Sequence, residues 1–294
     1  MRWVEITIEA TDAAVDAVTG IMMNEGCGGT AITQVVDTPS QNQTDVIGYL
    51  PVDDRLEGRL QNIREHIHEL PGFGLELRSD EIGIKWVADE DWATAWKQHF
   101  HPIRMGRIVI KPSWEDFEPD PGDIVIDIDP GMAFGTGYHP TTKLCILALQ
   151  NYIKCGETVL DMGTGSAILA MAAAKLGAAK VVGLDIDSVA VEVAKQNVAH
   201  AGLGDIIEID RADSPRAFDG QADIVVANII AKVIIEMASD LVAKVKPDGI
   251  LIASGIVRER APDVCSALES AGFEFVEQRT EAEWVALVLR AWNH

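Results

Sequence analysis

Residues 157–170 read Glu157-Thr-Val-Leu-Asp-Met-Gly-Thr-Gly-Ser-Ala-Ile-Leu-Ala170. The β-branched apolar run Thr158 to Leu160 has the character of a buried parallel strand. It breaks at Gly163 and Gly165, and the sequence predicts that Ser166 then caps an Ala/Leu-rich helix reaching Gly177. A strand, a glycine turn and a helix start bring bare backbone N–H groups against a ligand, because glycine has no Cβ to hold it off. A second apolar strand, Val181 to Leu184, ends in Asp185, where a carboxylate can hold a ribose hydroxyl pair. The pattern is that of a nucleotide-type pocket.

A dinucleotide fingerprint needs a third glycine three residues after the second, and that position is Ile168. No Walker lysine follows the glycines either, so nothing here is built for a pyrophosphate or triphosphate. What remains is an acid, Asp161, two residues ahead of Gly-x-Gly. That tripeptide alone also describes an ordinary βα turn. Asp161, Asp185 and the downstream Asn228 together favour a cofactor site.

The 294 residues hold 24 Lys plus Arg against 46 Asp plus Glu, a net charge of −22. Such a field repels free nucleic acid and favours a basic partner. The longest apolar run, Ile224 to Ala238, is broken by Asn228, Lys232 and Glu236, so no membrane span is expected. The opening residues alternate like a strand and lack a signal-peptide core, which predicts a cytoplasmic protein. Cys27, Cys145, Cys155 and Cys265 have no metal spacing and read as reduced packing residues.

Three segments are expected. Residues 1–83 read as strand, helix, two strands, helix, strand, the order of a small ferredoxin-like α+β domain. Its helices are expected from Asp12 to Glu25 and from an Asp54 cap to Leu70. Its 5 basic against 14 acidic residues up to Asp80 argue against an RNA-binding face. Residues 84–105 form a linker with a short helix carrying Trp92 and Trp96, expected as packing residues. His99 and His101 lack a third ligand for a metal. From 106 to 294, strands alternate with helices, predicting a doubly wound, mostly parallel α/β sheet whose last strand returns antiparallel. Lys246-Pro-Asp-Gly249 is expected to separate a helix from a strand starting at Ile250.

Asp129 to Thr142, Leu160 to Ala170 and Val225-Val-Ala-Asn-Ile-Ile-Ala231 together resemble the ribosomal protein L11 methyltransferases, a family of class I S-adenosylmethionine-dependent enzymes. Lys111-Pro-Ser-Trp114 and Glu283 to Arg290 fit the same family, and the resemblance spans nearly the whole chain. It implies a Rossmann-like methyltransferase domain behind a domain that grips a basic large-subunit ribosomal protein. It further implies that S-adenosyl-L-methionine is held by Thr142, Gly163, Asp185 and Asn228, with Gly165, Phe134, Gly135 and Thr136 beside them. Methyl groups would pass to lysine ε-amines and the N-terminal α-amine of the substrate, with no metal used. Asn228, at the C-terminal end of its strand, could position the amine or only shape the loop and touch cofactor. A monomer is expected. The competing reading is a non-catalytic adenosylmethionine-binding ribosome-assembly module, or an enzyme for another amine. His139 could serve as a proton acceptor or as a cap. This chain departs from the family at Ala167, where a third glycine is usual, at Tyr138, where threonine is usual, and at Ile230, where leucine is usual.

Overall fold

The computed structural model describes residues 3–11, 13–27, 30–35, 43–52, 55–75, 77–87, 101–128 and 139–292. They divide between His101 and Pro102 into two compact units.

In the first unit, β1 (Trp3–Ala10), β2 (Thr30–Val35), β3 (Gln43–Pro51) and β4 (Leu77–Val87) form one sheet of order β2-β3-β1-β4. Every neighbouring pair in it is antiparallel. β1 alternates strictly, burying Val4, Ile6, Ile8 and Ala10, because successive side chains point to opposite faces. Their shared core includes Val15, Val18 and Met22 of α1 (Val15–Asn24) and Ile63 and Ile67 of α2 (Leu56–Glu69). Each fully buried aliphatic side chain is worth ~1.5–3 kcal/mol, so one helical stripe per helix suffices to hold both on the sheet. Three boundaries differ from expectation. α1 starts at Val15 rather than Asp12, α2 follows Arg55 without a side-chain cap, and β4 runs on to Val87, past the expected domain end at residue 83. Asp12, Asp54, Trp92, Trp96 and His99 lie outside the described residues.

The second unit opens with a small sheet of β5 (Ile103–Met105), β6 (Ile108–Lys111) and β7 (Ile124–Asp127). Its main sheet has seven strands in the order β10-β9-β8-β11-β12-β14-β13. These are β8 (Thr158–Met162), β9 (Lys180–Asp185), β10 (Ile207–Arg211), β11 (Ala222–Asn228), β12 (Val245–Val257), β13 (Phe273–Glu281) and β14 (Trp284–Ala291). The first five pair in parallel. β14 runs antiparallel to both neighbours and inserts between β12 and β13.

The strands of the parallel core are apolar on both faces because helices cover both. Val159, Val181 and Ile224 join one core with residues of α3 (Pro140–Tyr152), α4 (Ile168–Leu176) and α5 (Ser188–His200). Leu160, Val182 and Val225 join the other with residues of α6 (Ala231–Lys244) and α7 (Ala261–Ala271). Lys246-Pro-Asp-Gly249 does not interrupt β12. The strand starts at Val245 and absorbs the segment as an irregularity, with Asp248 at φ 63° and the β11 pairing shifted there. Cys27 and Cys145 are buried as expected, whereas Cys155 is exposed. Among the described residues no helix is long and apolar enough to cross a membrane, and no group of three or more His, Cys, Asp or Glu is placed to hold a metal.

Candidate functional site

From β8 the chain winds outward to β9 and β10, and from β11 it winds the other way to β12. The crevice beyond the carboxyl ends of β8 and β11 is therefore the switch point where open α/β sheets bind ligands. The turn after β8 fills one side of it. Gly163 and Thr164 donate their N–H groups to the Leu184 carbonyl at 2.8 and 3.0 Å, stitching the turn to the end of β9. Gly163 and Gly165 hold φ of 78° and 55°, values that only glycine adopts freely.

Gly165 donates its N–H to Asp185 Oδ2 at 2.8 Å, and Asp187 donates its N–H to Asp185 Oδ1 at 3.0 Å. Each carboxylate oxygen has a second lone pair, so Asp185 is oriented by backbone donors and still able to accept a hydroxyl pair. Asp187 in turn caps α5 by accepting the Val189 N–H at 2.9 Å. Asp161 lies beneath the turn with no exposed surface, and its Oδ2 accepts the Thr164 hydroxyl at 2.7 Å. Burial pushes its carboxyl up to about 7, against the opposing pull of the Thr164 hydrogen bond, and the Asp185 charge adds to the rise.

Ser166 does not cap α4. The residue before the helix is Ala167, at φ 66° and without a side-chain cap. The third-glycine position therefore does take a left-handed backbone, and alanine bears strain there of about 1–2 kcal/mol. The Ala167 methyl is packed in the core shared with α3 and α5.

On the other side, α3 begins at Pro140 with His139 as its cap. Thr141 donates its N–H to His139 Nδ1 at 3.3 Å, and its hydroxyl oxygen lies 2.7 Å from the same nitrogen. The imidazole and Trp284 rings pack in a T-shaped pair with centroids 4.7 Å apart. His139 is thus a cap packed on an aromatic ring. Thr142 Oγ1 is fully buried yet has no hydrogen-bond partner among the described residues. A native protein rarely leaves such a group unmade, so this hydroxyl fits a polar ligand.

Asn228 closes β11, half-buried, opposite Ser254 of β12. The next residue, Ile229, donates its N–H to the Ser254 carbonyl at 3.1 Å. Ile186, the first residue after β9, and Ile230, the second after β11, are 63% and 65% exposed, giving the crevice an apolar rim. Thr142, Gly163, Gly165, Asp185 and Asn228 thus all lie at element ends, while Phe134, Gly135, Thr136 and Tyr138 lie outside the described residues. Ile229, Ser254 and Gly255 gave no chemical signal in the sequence, since their part is played by backbone.

A parallel core sheet closed by an inserted antiparallel strand, with a glycine turn and a strand-end acid at its switch point, defines a class I methyltransferase domain. Residues 2–291 match the family model described as "Ribosomal protein L11 methyltransferase (PrmA)". The ribosomal protein L11 methyltransferase of Geobacter metallireducens is 44% identical over 299 residues, covering 98% of each chain. That of an Exiguobacterium species is 40% identical over 311 residues, covering 99% of each. The crystal structure of a ribosomal protein L11 methylase from Lactobacillus delbrueckii subsp. bulgaricus superposes with a TM-score of 0.62 at 34% identity, covering 66% of this chain and 100% of that one. The chain belongs to the ribosomal protein L11 methyltransferase family, and S-adenosylmethionine is its methyl donor.

Proposed function

We propose that this protein moves methyl groups from S-adenosylmethionine to lysine ε-amines and the N-terminal α-amine of ribosomal protein L11. The observation that carries this reading is the meeting of Ile229 with Gly163, which sets Asn228 at the end of β11 beside the turn assigned to the cofactor. Thr142, Gly163, Gly165, Asp185 and Asn228 hold the cofactor, joined by Phe134, Gly135 and Thr136 from the preceding loop. When bound, S-adenosylmethionine supplies an already activated sulfonium methyl.

The work left to the protein is placement and removal of water. A lysine near pKa 10.4 is only about one part in a thousand neutral at pH 7.4, a cost of roughly 4 kcal/mol. The apolar rim at Ile230 lowers that cost by desolvating the ammonium. The Asn228 carboxamide accepts a hydrogen bond from the amine and aims its lone pair.

The first unit, read as ferredoxin-like from its strand order, grips the substrate. Residues 1–101 are assigned to recognition and 102–294 to catalysis, since β4 carries the first unit past residue 83 and β5 begins the second before residue 106. The −22 charge suits a basic ribosomal protein and not free nucleic acid. The protein acts as a cytoplasmic monomer. Incubating it with S-adenosylmethionine and purified ribosomal protein L11 should add 14 Da increments (about one methylene each) to lysine and N-terminal peptides in mass spectrometry. Cofactor binding without any mass increment would instead make it a non-catalytic module.

A further inference from the structure

The residue after Asn228 is held from two sides by glycines. A Cβ on Gly163 would overlap Ile229 Cγ2. A Cβ on Gly255 would overlap the Ile229 carbonyl oxygen and approach its carbonyl carbon to 2.8 Å and its nitrogen to 3.1 Å. Real Cβ atoms do not come that close, so both glycines are required by the position of Ile229. Gly255 also carries φ 81°, and the β12–β14 pairing shifts register between Ala253 and Ile256. Two residues, Ser254 and Gly255, therefore stand where a regular ladder has one, which is a β-bulge with its glycine in the left-handed region.

The bulge is anchored on both flanks. Ser254 Oγ donates to the Val285 carbonyl at 3.0 Å, and the Ser254 carbonyl accepts the Ile229 N–H at 3.1 Å. A regular strand at 254–255 would place a side chain under the Ile229 peptide. The bulge places bare backbone there instead. Ile229 is thus seated with its side chain on Gly163 and its peptide on Gly255. That fixes the residue before it, Asn228, and turns the one after it, Ile230, outward to 65% exposure.

We infer that Gly255 is a positioning residue, and that the bulge and Gly163 form a socket for Ile229 that sets the direction of the Asn228 side chain. The inference rests on the proposed contact of Asn228 with the cofactor. The socket touches no reacting atom and acts only through that residue.

Calorimetric titration of the full chain with S-adenosylmethionine tests it as a cycle. Gly255→Ala should weaken binding at least fivefold, as should Asn228→Ala. In the Asn228→Ala background, Gly255→Ala should change Kd by less than about twofold, since the group it positions is gone. Damage to the fold at large would lower the titration stoichiometry and leave Kd alone. Multiplying effects in the double variant would overturn the socket. An unchanged Kd in Asn228→Ala would remove Asn228 from the cofactor site and the inference with it.

Should Gly255→Ala fail to fold, Gly163 decides the matter. Gly163→Ala should bind weakly, and adding Ile229→Ala should restore at least threefold by freeing the space the new methyl needs. No restoration would mean that Ile229 is not what Gly163 accommodates. In methyl transfer to ribosomal protein L11, Gly255→Ala should lower kcat at least tenfold with KM for the protein within about threefold. A wild-type chain that transfers nothing would sink the proposed function, while the binding cycle would still decide the socket.

Discussion

Gly165 and Asp185, twenty residues apart in the chain, are joined by a 2.8 Å hydrogen bond from the glycine N–H to the carboxylate Oδ2. The turn proposed to approach the cofactor and the acid proposed to hold its ribose are therefore joined. Neither can move without the other. A charge-assisted bond of this kind is about twice as strong as a neutral one, and it costs nothing when the ligand arrives because it is already made.

Removing the acid should cost both functions. Asp185→Ala is expected to lose on the order of 2–3 kcal/mol of S-adenosylmethionine affinity, from hydrogen bonds to a charged acceptor. That is a rise of about 30- to 150-fold in Kd. Calorimetric titration measures it, and an unchanged affinity would take Asp185 out of the site.

Thr142 presents the opposite situation, a buried hydroxyl with no partner among the described residues. Such a group costs ~1–3 kcal/mol of desolvation. Thr142→Val keeps the shape and removes that cost, so the free protein should melt higher. Its cofactor affinity should fall about tenfold, in line with one lost neutral hydrogen bond. A variant that melts lower and binds as well would show that the hydroxyl serves the fold.

Asp161 ties stability to pH. Its carboxyl has an ordinary value of 3.8 and is raised to about 7 in the fold, chiefly by burial. Between those values the folded chain keeps a proton that the unfolded chain releases. Stability from this group therefore falls as pH rises, by about 1.4 kcal/mol per unit, and levels off above about 7. Asp161→Asn has no proton to lose. Urea unfolding at pH 4.5, 5.5 and 6.5 should show the variant gaining on the wild type at each step. Parallel profiles would contradict a protonated Asp161.

The two units divide the labour in the proposed function. A chain beginning near Pro102 should still bind S-adenosylmethionine, because every described contact residue lies from Thr142 onward. It should methylate ribosomal protein L11 poorly. Equal rates for the truncated and full-length chains would refute a substrate-gripping role for the first unit.

Amine chemistry gives a pH signature. From pH 7 to 9 the neutral fraction of a lysine rises almost a hundredfold, while that of an α-amine saturates within about tenfold. Where methyl transfer limits the rate, site-resolved initial rates by mass spectrometry should climb more steeply for lysine than for the N-terminus. Equal slopes would mean that the site already holds lysine neutral.

Much of this protein is written locally. Runs such as Val159-Leu160 and Val225-Val-Ala227 are apolar on both faces because each is to be covered twice, and that alone indicates a parallel sheet between helix layers. Asp161, the two glycines and Asp185 follow one another at fixed spacing within a single βαβ unit, so their meeting at one turn could be read before any coordinates. Residue 167 shows where reading by pattern stops. Ser166 looks like a cap, but the turn's backbone requires a left-handed residue next, and Ala167 holds that position without a side-chain cap. What only the tertiary structure decided lies between segments distant in sequence. β14 inserts beside β12, opening the bulge at Ser254-Gly255, and that bulge meets Ile229 twenty-odd residues earlier. These contacts are made by backbone atoms that every residue carries. Composition and spacing cannot signal them, because their requirement is the absence of a side chain at one place, and the reason for that absence is a peptide from another strand.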